Sequence, residues 1–443
     1  MANVAVGNPL KSPFRTSHRL SVDRADIERV MARHQGKRLR LDQFTAALVC
    51  SWLAASALAS DGNKASPVSS TVVASNVGCD EYDCCTVELL RHPPLSFSLG
   101  RAFHGRVGGF ARLDVIHDFD AIGDRYEFLT TAIPTDGRTG SRTTVSARQT
   151  RFNLDVQHAN ESLRLFAEGD FFGPVGDFRL RHAYGEFHGL MVGQNWSAFQ
   201  DESIIPNTLD YEGPVGMVFV RQPQLRLTFS PIDQYELAFA IEDASQSDAN
   251  LSLPFPGEDD HRLPDLIGRV RYETPSGHVQ LASVLREVGF QSNIGARQDV
   301  TGWGMSLSGA LQPRECDRLY AQIAFGEGFA RYIEDLDGTG TDAAFDSNGN
   351  LVALTAFGAF VGWDHRLTEH LQSNLVYGFA RISNSAAQVP DAFHRSEYFS
   401  GNVIWNPLPR LDLGFEMLWG SRQDKNNARG EAVRLQFSTT YRF

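Results

Sequence analysis

The sequence predicts an all-β fold, a transmembrane antiparallel β-barrel of about sixteen strands, and three observations carry that expectation. From about residue 105 onward, segments of roughly ten residues alternate apolar with polar side chains, the period of a strand with one face in lipid and the other in water. The connections between these segments alternate between short and long. Beyond the N-terminal region no apolar run approaches the roughly 20 residues a spanning helix needs, so a helical membrane protein is excluded.

Taken from the N-terminus, residues 1–59 read as a leader. Gly36 to Gln43 supply a basic region, Phe44 to Ser60 an apolar core, and Ala57-Leu58-Ala59 an A-x-A site, which together predict signal-peptide cleavage after Ala59. Met31 lies close upstream of the basic region, so residues 1–30 are either a start placed too early or part of a long leader. Residues 60–104 have no helical or strand period and are expected to form a periplasmic linker ahead of a barrel over residues 105–443. The linker holds Cys79, Cys84 and Cys85, with Cys316 far downstream, and export permits disulfides among them without fixing a pairing.

Removing residues 1–59 leaves 32 basic against 49 acidic side chains, a net charge of −17. Nucleic acid is therefore not an expected partner, because phosphate neutralisation needs clustered positive charge. After residue 59 only Lys64 and Lys425 are lysines. That bias either reflects a GC-rich genome or suits the bidentate recognition of carboxylates and phosphates by guanidinium groups.

Candidate strands fall near residues 105–118, 143–157, 163–172, 177–187, 190–198, 217–229, 234–242, 265–273, 278–287, 300–311, 317–330, 351–367, 371–383, 396–405, 410–421 and 431–443. Short connections such as His188-Gly189, Ser230–Asp233, Thr274–Gly277 and Asn406–Pro409 suit periplasmic turns. Asp243–Pro264, Tyr332–Asn350, Ser385–His394 and Gln423–Arg429 suit external loops. Gly173–Gly176 is short where a long loop is due. Trp303, Trp363, Trp405 and Trp419, with Tyr377, Tyr398 and Tyr441, are candidates for interfacial girdles. Such a barrel belongs in the bacterial outer membrane, with lipid as its first partner.

The selectivity of a pore comes from charges on its water-facing wall. Alternation against apolar neighbours turns Arg112, Arg151, Arg164, Arg179, Arg181 and Arg226 inward, and Arg221 belongs with them where Pro223 interrupts the register. These arginines either form a basic ladder that attracts anions or pair with Glu168, Asp155 and the acidic connection after the fifth strand.

Six ordered blocks carry a family resemblance. They are Gly109-Phe110-Ala111-Arg112-Leu113-Asp114, Glu168-Gly169-Asp170-Phe171-Phe172-Gly173, Leu180-Arg181-His182-Ala183-Tyr184-Gly185, Val192-Gly193-Gln194-Asn195-Trp196-Ser197, Glu212-Gly213-Pro214 and Val220-Arg221-Gln222-Pro223-Gln224. Together they resemble the DcaP-like family of trimeric outer-membrane porins. The resemblance implies a homotrimer, a passive diffusion channel for small, dicarboxylate-like anions, and an inward-folded constriction loop after the fifth strand. Asp201, Glu202, Asp210 and Glu212 of that loop would then face the arginines across a transverse field. The C-terminal Phe443 resembles the insertion signal of outer-membrane barrels.

Asp335–Asn350 is rich in oxygen ligands and admits a calcium reading, but counting from Asp346 places Leu351 and Phe357 at EF-hand positions six and twelve. An exposed polar loop is the expectation there, and no cofactor is expected. The chain has no H-E-x-x-H, G-x-S-x-G or phosphate-loop lysine, so it is not expected to be an enzyme. A barrel-embedded hydrolase and a non-conducting structural or adhesin barrel are the alternatives to a pore.

Overall fold

Strict alternation lets every strand bury one edge against each neighbour and close the sheet, which leaves no edge for lipid to meet. The computed structural model describes residues 95–443 apart from 139, 161, 245–250, 253–256 and 294. The expected leader, most of the linker, and Cys79, Cys84 and Cys85 lie outside the described residues. Cys316, in a short turn, is disulfide-bonded. Among the described residues no helix is long and apolar enough to cross a membrane.

Sixteen antiparallel strands close the barrel. The first eight are β1 Phe103–Asp118, β2 in two pieces (Arg142–Ser146 and Arg151–His158), β3 Leu163–Asp170, β4 Arg179–Phe187, β5 Leu190–Trp196, β6 Arg221–Ile232, β7 Tyr235–Glu242 and β8 Asp265–Thr274. The others are β9 Gly277–Ser292, β10 Gln298–Arg314, β11 Asp317–Glu327, β12 Thr355–Thr368, β13 Leu371–Ser383, β14 Phe393–Leu408, β15 Leu411–Asp424 and β16 Arg429–Arg442. Each pairs with the next, and β1 closes on β16 from Phe110 to Asp118. Below Phe110 the free edge of β1 is covered by a further strand, Leu95–Leu99, paired to Phe103–Val107 inside the stretch read as linker.

Leu113, Leu165, Leu180, Val192, Leu227, Leu281, Leu307 and Phe415 are exposed on the outer face, while Asp114, Gln224, Gln280 and Ser308 are buried on the inner one. The β4–β5 hairpin shows why the short turns are tight. His188 and Gly189 both have positive φ, 49° and 83°, the two-residue geometry that matches strand twist. Trp303, Trp363, Trp405, Tyr377 and Tyr441 are exposed. Tyr398 is not a girdle residue: it is fully buried on the inner face, its ring 6.0 Å from that of Phe128.

Four boundaries differ from the sequence expectation. β6 starts at Arg221, not near 217, because Val218 forms a bridge with Ile333 and Phe219 N–H donates to the Tyr332 carbonyl. β12 starts at Thr355 because Leu351–Ala353 pairs instead with Ala343–Phe345. The connections before β10 and β16, residues 293–297 and 425–428, are short because the flanking strands run on past the expected ends.

The apolar core is inside the barrel and is made largely by loops. Ile122, Phe128 and Ile133 from the first external loop, Phe199, Val215 and Val218 from the third, and Phe329, Tyr332, Ile333 and Leu336 from the sixth pack against Ala282, Ala324, Ala356 and Ala380 of the wall. The sixth loop is therefore an inserted wedge, not an exposed polar loop. Small wall residues make room for it: Val215 and Gly216 lie directly on Gly358 of β12 and Gly378 of β13.

Candidate functional site

The third loop, residues 197–220, crosses the bore, and its polar groups are tied to the wall. Asp201 reaches the β8–β10 wall. One carboxylate oxygen accepts from Arg271 at 3.0 Å, the other from His278 Nε2 and Ser308 Oγ at 2.8 Å each. Farther along, the backbone N–H groups of Leu209 and Asp210 donate to Glu416 at 2.9 and 2.8 Å, and Asn402 donates to the Asn207 carbonyl at 2.9 Å. Arg112 donates to the Leu209 carbonyl and pairs with Asp114 at 2.9 Å, so it fastens the loop. Asp210 is likewise buried, accepting from Phe128 N–H at 2.8 Å.

Between this loop and strands β2–β6 lie two cavities. The outer one, about 430 Å³, is lined by Arg179, Arg181 and Arg221 on the wall and by Glu127, Glu212 and Glu334 on the loops. The inner one, about 550 Å³, is lined by Arg151, Arg164, Glu168, Tyr184 and Glu202. Both include Arg181, Tyr211, Glu212 and Phe219, which therefore stand where the two cavities adjoin. Tyr211 also borders the cavity below and is held between two guanidinium groups, 4.1 Å from Arg112 and 4.7 Å from Arg151.

Five of the seven sequence-selected arginines, Arg151, Arg164, Arg179, Arg181 and Arg221, line these cavities. Most are paired. Arg164 grips Asp155 with both nitrogens at 3.0 and 3.1 Å, Arg179 grips Asp170 at 3.0 and 2.8 Å, and Arg181 bridges Glu168 and Asp170 at 3.1 and 2.9 Å. Arg151 stands 3.6 Å from Glu168. Arg226 is turned to the Trp196 carbonyl at 3.4 Å. Among the described residues Arg221 has no ion-pair partner: its guanidinium lies 4.6 Å from the Trp196 ring, with Nη1 buried and without a hydrogen bond.

Of the four acidic loop residues, Glu212 alone lines both cavities, and Glu202 lines the inner one. Asp201 and Asp210 are structural ties and do not face the arginines. The acidic wall is instead assembled from three loops, by Glu127, Glu212, Glu334 and Asp335. Burial pushes the Glu127 carboxyl up to about 7, with nearby Asp210 adding to the shift, and burial likewise lifts Asp335 to about 7. Glu212 and Glu334 are both raised well above the usual carboxylate range by burial, and they hydrogen-bond each other.

Two arrangements bear on the remaining alternatives. Asp201, His278 and Ser308 meet, yet hydroxyl and imidazole both bond the carboxylate, so no base is placed on the serine as hydrolysis requires. In the sixth loop, Asp342 is buried against Arg286, Asp335 accepts from Thr130, and Asp346 accepts from the N–H groups of Asn348 and Asn350. Among the described residues no three His, Cys, Asp or Glu side chains gather as metal ligands.

A family model described as DcaP outer membrane protein matches residues 102–443. Among solved structures, the outer membrane channel DcaP of Acinetobacter baumannii is similar with a TM-score of 0.69 at 21% identity, over 78% of this chain and 99% of that one. OmpT, an outer membrane protein of Vibrio cholerae, in its trimer form, is similar with a TM-score of 0.50 at 12% identity, over 77% and 100% of the two chains. No curated protein matches.

Proposed function

We propose, from the premise that the chain belongs to the DcaP outer membrane protein family, that the outer-membrane porin channel it forms is a passive pore selecting small anions of the dicarboxylate kind. The observation that carries this reading is the guanidinium of Arg221, without an ion-pair partner among the described residues, beside Arg179 and Arg181 in the outer cavity. An anion entering from the external side meets a fixed positive charge that no carboxylate among the described residues pairs with, between low-dielectric walls that focus its field.

Reversal potentials in a salt gradient across planar bilayers test the reading. An anion preference is expected, and it should grow as pH falls from about 8 to 5. The raised carboxyls of the acidic wall are protonated below about pH 7, which removes negative charge from the cavity while every guanidinium stays charged. A cation-preferring channel at pH 5 would refute it.

A homotrimer is the assembly we propose. The β3, β4 and β5 strands have only 8, 9 and 7 residues, whereas β9 and β10 have 16 and 17. At ~3.3 Å per residue and a tilt of ~40°, seven residues rise ~18 Å, short of an apolar band ~25 Å tall. A low wall bearing exposed Leu165, Leu180 and Val192 is suited to covering by neighbouring copies rather than by lipid. V192W should therefore abolish detergent-resistant oligomers on unheated gels, while V279W, equally exposed on the tall wall, leaves them intact.

A further inference from the structure

The outer cavity holds opposite charges that face one another without meeting. On the barrel wall stand Arg179, Arg181 and Arg221, and on the loops Glu127, Glu212 and Glu334. Charges this close in a poorly solvated space ordinarily close into ion pairs. Arg179 and Arg181 are committed to Asp170 and Glu168 of their own wall, and Arg221 has no ion-pair partner among the described residues. Across the gap, Glu212 bonds Glu334, and none of these three glutamates pairs with an arginine among the described residues, although Glu127 and Glu334 both sense the charge of Arg221.

The separation is imposed by rigid supports. Glu212 is fixed by the ties of the third loop to Glu416 and Arg112, and Glu334 by its N–H donating to the Met217 carbonyl. Neither wall can advance to neutralise the other. A bound molecule that carries both charges can satisfy both walls at once.

We infer that the outer cavity is a binding site for amphoteric anions, small dicarboxylates that also bear a protonated amine. The carboxylates lie toward Arg221 and its arginine neighbours, and the ammonium donates to Glu127 and the Glu212–Glu334 pair. An anion lacking the amine leaves the acidic wall unanswered, so the amine raises affinity instead of costing desolvation. This rests on the anion-pore reading and narrows its substrate class. Burial keeps part of the acidic wall protonated near neutrality, so the advantage of the amine increases between pH 6 and 8.

Glutamate and glutarate form a matched pair, identical but for the amine. Block of the ion current through the whole channel in planar bilayers, measured against concentration at pH 7.5, is expected to be half-maximal at about tenfold lower glutamate than glutarate, the size of one added charge-assisted hydrogen bond. E127Q with E212Q, which keeps shape and hydrogen bonding, should bring the ratio to within about twofold of one by weakening glutamate alone. Glutarate blocking as well as glutamate, in a channel whose reversal potential still prefers anions, would overturn this inference and leave the pore reading standing. A cation-preferring reversal potential with block by neither compound would overturn both. Should the double variant not assemble, E127Q alone should at least halve the ratio, and an unchanged ratio counts against the site.

Discussion

R221A is expected to lower the anion-to-cation permeability ratio by about tenfold, more than R164A, although both residues line the bore. A unit charge ~6 Å from a permeating ion contributes ~3 kcal/mol at an effective dielectric constant of ~20, before salt screening reduces it. Arg221 delivers more of that charge than its neighbours, because among the described residues no carboxylate pairs with it directly. Arg164 is offset by Asp155 at 3.0 Å, so its removal exposes an acid and takes away a charge already half-cancelled on the path. Arg181 is a poorer probe, since it bridges Glu168 and Asp170, so its loss changes the balance of three charges at once and leaves those acids to Arg151 and Arg179. The measurement is the reversal potential of R221A, R164A and R221K in one salt gradient. R221K, which keeps the charge, should retain most of the preference, and equal effects of R221A and R164A would show that local pairing does not set selectivity.

The sequence reveals the barrel because alternation is a local property: Arg112, Arg151, Arg164, Arg179 and Arg181 each have an outward apolar neighbour in Leu113, Phe152, Leu165 or Leu180, and most of the wall follows from the pleat. Arg221 is different. Gln222, Gln224 and Arg226 face in along β6 while Leu225 and Leu227 face out, so strict parity sends Arg221 outward. It turns inward because it is the first strand residue after the loop and folds over Trp196. The acidic wall was less legible still. Glu127, Glu212 and Glu334 come from three loops with no period to read, and they meet only because the first, third and sixth loops share an apolar core inside the barrel. Tyr211 could have been suspected from its place beside Glu212-Gly213-Pro214. Its seat between Arg112 and Arg151 depends on a loop path that no spacing encodes.

D201A is expected to release the first half of the constriction loop, raising conductance and making the open-channel current noisy while the barrel itself still assembles. Asp201 is a hub: Arg271, His278, Ser308 and the Ser203 N–H all converge on one carboxylate. Its removal leaves buried donors on three adjacent strands without their acceptor, a cost of about 3–5 kcal/mol, concentrated on the loop because the strand ladders do not involve it. The second anchorage, Leu209 and Asp210 on Glu416, still holds the far half, so the loop is loosened and not expelled. D201N, which keeps an acceptor oxygen but loses the charge, should fall between the two. Acid does not mimic the substitution. Burial alone would raise this carboxyl, but the bond and charge of His278, with Ser308 and Arg271, outweigh burial and hold it at about 2. A group depressed in the folded state contributes stability that is complete above its unfolded value of about 4 and is lost only as pH falls through about 2. Between pH 5 and 8 the Asp201 tie therefore stays in place, and a change in selectivity over that range does not come from it. Noise in the wild-type channel that rises at pH 5 to the level of D201A would show that the tie titrates and that the two effects cannot be separated.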